Sequence, residues 1–194
     1  MEVTSCNAHK LNGCVWNKIF IVDKLRQYDI RFFEGVSYGE DAAFIYCVCG
    51  CGGSVWCVPG SWYHYIMHEK SATGGADRRS LRVLTHLSCV DSVYDFYCRI
   101  GMNSERRSLL LGLFEHSYHY VRDSIDSRWW PEVDAEAFRI ADMTGLLSHW
   151  ESGAIRCLLS NRQSRIRGLF RWFRPNGVSY GVLGRGLWSI TYEP

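Results

Sequence analysis

No stretch of about 18 uninterrupted apolar residues occurs in this 194-residue sequence, which removes a membrane-spanning helix from consideration. The N-terminus lacks a basic region followed by an apolar run, so no secretory leader is expected and the chain is read as cytoplasmic. No internal repeat and no low-complexity tract is present, which sets aside solenoids and disordered tails. Large excess charge is also missing: 22 Lys and Arg stand against 20 Asp and Glu, a formal net charge of +2. That small total hides an asymmetry, because residues 150–194 hold seven Arg against Glu151 and Glu193 while the rest is net acidic. A nucleic-acid footprint normally spreads basic residues over one face of a whole domain, so nucleic acid is not an expected partner. The nine cysteines form no even-spaced framework. Cys47, Cys49, Cys51 and Cys57 raise a zinc reading, but no second knuckle follows them, and reduced, apolar packing thiols account for them better. Against these absences stand 47% hydrophobic residues, eight Trp, eleven Tyr and nine Phe, the composition of a chain that buries a core.

Residues 14–66 alternate short apolar runs with turn signals, the pattern of an α/β or α+β segment. Val15 to Ile21 reads as a strand from its β-branched and aromatic content, Val22 to Tyr28 as one or two helical turns, and Ile30 to Phe33 as a short extended piece. The run from Asp41 to Val48 predicts a buried helix with Glu40 and Asp41 in its first turn, where acidic side chains suit the positive end of the dipole, and Gly50, Gly52 and Gly53 end it. Ser54 to Val58 and Ser61 to Ile66 read as two strands joined at Pro59-Gly60. Beyond the Gly74-Gly75 loop the pattern becomes helical. Val83, Leu87, Val90, Tyr94 and Tyr97 share one stripe that Gly101 stops; Leu110, Leu113, Phe114, Ser117, Tyr120 and Val121 form another after a cap at Ser104, and the two helices are expected to pair as a hairpin. Further helices are expected from Pro131 to Gly145 and from Ser160 to Arg174. The expected domains are thus residues 1–75 and a helical region of residues 76–194.

Three strings carry chemistry. They are Gly13-Cys14-Val15-Trp16-Asn17-Lys18-Ile19-Phe20, Ile30-Arg31-Phe32-Phe33-Glu34-Gly35, and Tyr38-Gly39-Glu40-Asp41-Ala42-Ala43-Phe44. In this order and spacing they resemble the middle-to-late catalytic part of the family 2 glycosyltransferases of bacterial surface-glycan synthesis. The run Ser61 to Thr73 adds a fourth piece, similar to the aromatic strand and Ser-containing loop that follow in those enzymes. The resemblance covers little more than a third of the chain. It implies an α/β fold, the C-terminal part of a GT-A nucleotide-diphospho-sugar transferase fold, followed by a mostly helical region.

The resemblance also implies roles. Inverting sugar transfer needs a carboxylate to take the proton of an acceptor hydroxyl as that oxygen attacks the anomeric carbon. Asp41 is the implied base and Glu40 its neighbour, holding the loop or an acceptor hydroxyl; taken alone, both would be ordinary helix-start acids. Trp16, Asn17 and Lys18 are placed to line the sugar or acceptor site, Trp as an apolar platform and the other two as donors, although Trp16 serves equally well as a core residue. A divalent cation, Mg²⁺ or Mn²⁺, is expected to balance the leaving diphosphate in the complete enzyme, with His68 as the candidate ligand, His64 its competitor, and a plain surface or core histidine the bland alternative. The expected partners are a nucleotide-sugar donor and a glycan or lipid-linked acceptor. The family's metal-binding Asp-x-Asp occurs nowhere in the sequence, nor does a preceding nucleotide-binding βαβ pattern, so transfer is expected only when that N-terminal half is present and this chain alone is expected to be nearly inactive. Met1 is compatible with an internal start, a gene fragment or a boundary.

Arg162, Arg165, Arg167, Arg171 and Arg174 interleave with Ile166, Leu169, Phe170, Trp172 and Phe173. Such a segment suits either peripheral contact with an anionic membrane face or packing as a last helix. Two function classes follow: a partial sugar transferase, or a non-catalytic remnant that acts as a protein- or membrane-interaction module.

Overall fold

A computed structural model of the chain describes residues 13–56, 63, 64, 66, 81–149 and 151–158, together with the backbone of 178–183 and 187–192. The chain divides into two units, Met1–Leu158 and Leu159–Pro194. Among the described residues of the first follow α1 Val22–Gln27, α2 Glu40–Gly50, α3 Thr85–Arg99, α4 Ser104–Ser124 and α5 Trp130–Met143, and residues 153–158 are helical as well. In the second, β1 Val178–Leu183 and β2 Leu187–Tyr192 pair antiparallel, from Val178 opposite Tyr192 to Leu183 opposite Leu187.

Helix α2 is apolar on every side, and a helix without a polar face is stable only when surrounded. Ala42 through Cys47, with Cys49 and Gly50, are all buried. α2 packs on α3 and α4, which themselves pair as the expected hairpin, and α5 closes on both. Close approach is possible because Gly50 has no side chain: a Cβ there would lie 2.1 Å from Cε1 of Tyr97. Two polar links fix the contact. The Tyr97 hydroxyl donates to the Tyr46 carbonyl at 2.7 Å, and Arg106 Nε donates to the Gly50 carbonyl at 2.9 Å. α2 then ends as glycine dictates, with Gly52 in the left-handed region at φ +69 and its N–H on the Cys49 carbonyl.

The stripes of α3 and α4 bury as periodicity requires except at Tyr94 and Tyr120, which are half-buried. Val83, Leu87, Val90 and Tyr97 are fully buried, as are Leu110, Leu113, Phe114 and Val121, and Gly101 at φ +93 follows the end of α3. The cap of α4 is one residue earlier than expected: the Asn103 side chain, not Ser104, accepts the N–H of Arg106 at 2.8 Å. Pro131 lies in the first turn of α5, as expected. An ionic link joins α5 to α3, where Arg139 meets Asp91 and Glu136, each at 2.7 Å.

The expected α/β, GT-A type fold is not what forms. About two thirds of the described residues are helical, and no strand is present among those of the first unit. The reason is visible between Val15 and Ile21. Asn17 turns the backbone into the left-handed region at φ 62, and the Val15 N–H goes to the Asp41 carboxylate and not to a neighbouring strand. Ile19 and Ile21, which a sheet would cover, are 102% and 72% exposed. β-branched content expresses itself as a strand only where a partner strand and a covered face exist. Residues 30–33 are likewise irregular, as are 54–56 apart from a single bridge at Ser54; 57–62, the expected 160–174 helix and its arginines lie outside the described residues. Among the described residues no helix is long and apolar enough to cross a membrane.

Candidate functional site

Gly39 makes the turn that starts α2. It adopts φ +85, a conformation that costs an L-residue about 1–2 kcal/mol, and its carbonyl accepts the Ala43 N–H at 2.9 Å. Even without that strain a side chain would not fit, because a Cβ would lie 2.8 Å from Cys89 Sγ and 2.9 Å from Cδ2 of His86. The two carboxylates of Glu40 and Asp41 follow immediately, both half-buried in the first turn.

Asp41 is tied to the segment 26 residues earlier. Its Oδ2 accepts the Val15 N–H at 3.2 Å, and Gly13 lies against Ala42, where a Cβ would come within 3.3 Å of the Ala42 Cβ. Residues 14–18 form a tight turn over this helix start. Lys18 Nζ donates to the Cys14 carbonyl at 2.6 Å and to Asn17 Oδ1 at 3.2 Å, which closes the turn on itself. Burial pulls the Lys18 ammonium below its ordinary range, while the charges of Cys14 and Asp41 act in the opposite direction. Trp16 is half-buried and stacks on Tyr63, ring centroids 5.1 Å apart and 21° from parallel.

Three strings distant in sequence therefore meet: the 13–18 turn, the 39–41 helix start, and Tyr63 from the aromatic run. The structure brings Trp16, Asn17, Lys18 and Asp41 to one place, and Glu40 adjoins Asp41 in sequence. His64 is exposed, and His68 lies outside the described residues. Chemically, the arrangement offers a carboxylate beside a half-buried ammonium and an aromatic pair. These are the parts of a surface that holds a hydroxylated ring by its face and takes a proton from its edge.

The support beneath the turn was not anticipated. Cys89 donates its thiol to the Tyr38 carbonyl at 3.4 Å, and His86 Nδ1 lies 3.1 Å from Ser117 Oγ. Burial, and next the charge of His116, lower His86 to about 4, so it sits neutral under the Gly39 turn. A signal for it existed: position 86 lies three after Val83 and four before Val90, on the stripe that buries.

The divalent cation implied by the resemblance is not matched by what is described. Among the described residues no three His, Cys, Asp or Glu side chains lie together as a metal ion would need. At the positions of the zinc reading, burial raises Cys47, Cys49 and Cys51 above the usual thiol range, Cys49 to about 12 and Cys51 to about 11; Cys57 lies outside the described residues. All seven described cysteines are free. No protein-family model, no curated protein and no solved structure matches the chain.

Proposed function

We propose that the 13–18 turn, the 39–41 helix start and Tyr63 form the acceptor side of a sugar-transfer site of the family 2 glycosyltransferase type, working with a nucleotide-binding half and set on a helical support. One observation carries the reading: Val15, which precedes Trp16-Asn17-Lys18 in the turn, donates its N–H to the carboxylate of Asp41, 26 residues on at the Glu40-Asp41 helix start. Asp41 takes the proton of an acceptor hydroxyl, that oxygen bonds to the anomeric carbon of a nucleotide sugar, and the bond from that carbon to the diphosphate breaks. Trp16 and Tyr63 supply the apolar face for a ring, and Lys18 and Asn17 supply donors. The partners are a nucleotide-sugar donor and a glycan or lipid-linked acceptor.

The test is transfer from a panel of nucleotide sugars by the chain joined to any segment encoded directly upstream of Met1. Asp41→Asn should reduce transfer by about 10²–10⁴, the span of a lost general base, and leave donor binding intact. Turnover that is unchanged by this substitution sinks the base assignment. A second reading, the non-catalytic interaction module, draws on Ile19, Ile21, Trp56 and Ile66, large apolar residues that stand exposed. Absence of transfer with every donor would favour it.

A further inference from the structure

A cavity of about 270 Å³ opens between the segment after α1 and the outer sides of α2 and α3. Its floor is Cys47 of α2 and Phe96 of α3, both buried, and Phe32 forms part of its wall while stacking on Phe44 at 4.7 Å. Two guanidiniums line it, Arg31 from the segment and Arg99 from the end of α3. Both are held by one residue: Asp29 takes Arg31 Nε on its carboxylate at 2.6 Å and Arg99 Nη2 on its carbonyl at 3.3 Å. Arg99 also lies over the Phe96 ring at 5.1 Å, which ties the charge to the apolar floor.

Asp29 occupies a position where glycine is the unstrained choice. It follows α1 with φ 48, and the N–H groups of Asp29 and Ile30 return to the carbonyls of Arg26 and Leu25, the double closure that ends helices with a left-handed residue. Glycine would close the helix with less strain but would leave Arg31 without its carboxylate. One residue, itself in the lining, thus holds two cations at the mouth of an apolar cavity.

We infer that this cavity binds a small organic anion, its planar apolar body between the phenylalanines and its carboxylate or phosphate on Arg31 and Arg99. Guanidiniums suit such groups because their paired N–H donors match two oxygens at once. The site is separate from the proposed sugar-transfer surface, since no residue of 13–18 or 39–41 lines it. Its test therefore stands or falls without regard to that reading.

Phenyl phosphate is the probe, titrated into the full chain and followed by amide NMR shifts, with inorganic phosphate and benzyl alcohol as the two halves of its chemistry. Saturable shifts in residues 29–33 and at Arg99 are expected, with each half binding at least about tenfold more weakly than the whole. Arg31→Ala and Arg99→Ala should each weaken binding by about tenfold, with the helical circular dichroism unchanged because both side chains are exposed, and Arg99→Lys should retain part of it. No saturable shift at millimolar probe overturns the inference. So does equal affinity for inorganic phosphate, or affinity unaffected by Arg31→Ala.

Discussion

Gly50 shows how a single missing side chain sets the packing. The Tyr97 ring that fills its space is fully buried and is held by its hydroxyl at the Tyr46 carbonyl, so it has nowhere to go if a methyl is added. Gly50→Ala should therefore cost about 1–3 kcal/mol in a urea unfolding experiment despite alanine's better helix propensity. A change within about 0.5 kcal/mol, usual for surface sites, would contradict the contact. His86 gives a second residue-scale prediction. Its folded value of about 4 lies below its ordinary 6.5, so the unfolded chain takes up the proton first on acidification. Stability should be fully present above pH 6.5 and fall as pH drops toward 4, by at most about 3 kcal/mol from this group. Burial lowers His116 as well, which adds in the same direction, while Glu40 and Cys89 lie nearby on the side of the Gly39 turn. His86→Gln should flatten the stability profile between pH 4 and 6.5, and an unaltered slope would show that other groups produce it.

At the scale of elements, α4 offers a clean assignment. Asn103→Ala should destabilise the chain by about 1 kcal/mol, since it leaves the Arg106 N–H without its cap, whereas Ser104→Ala should change stability little. Thermal unfolding of the two variants decides which residue caps. The choice was ambiguous in the sequence because both adjacent side chains are good caps. α2, α3, α4 and α5 were legible because their burial repeats with the helical period or, for α2, covers every side between glycines. The strand expected from Val15 to Ile21 and the extended piece from Ile30 to Phe33 did not form for the opposite reason, while most of the strand expected from Ser61 to Ile66 lies outside the described residues. Alternation and β-branching describe a surface waiting for a partner, and in the described residues the Val15 N–H is spent on Asp41. The β1–β2 hairpin had no counterpart in the expected elements, the last of which ended at Arg174. The order of the strings suggested that the 13–18 turn and Asp41 belong together, but the stacking of Tyr63 on Trp16 across 47 residues has no local signature. Ser117 already lay on the expected stripe of α4 and His86 on that of α3; what had no local signature is that the two side chains meet across the helices.

Across the first unit, α3 and α4 act as a platform on which α2 is seated, and α2 in turn presents Asp41 to the 13–18 turn. The functional reading depends on that last contact more than on any helix. If the turn docks on Asp41, the carboxylate is fixed beside Trp16 and Lys18; if it does not, two acidic residues at a helix start remain ordinary. Amide hydrogen exchange at Val15 reports on this contact directly, in the wild-type chain and in Asp41→Ala. Loss of a hydrogen bond to a charged acceptor should speed exchange at Val15 by about tenfold or more while the amides within α2 keep their protection. Equal exchange at Val15 in the two proteins would contradict the account, because the turn and the helix start would then not form one site.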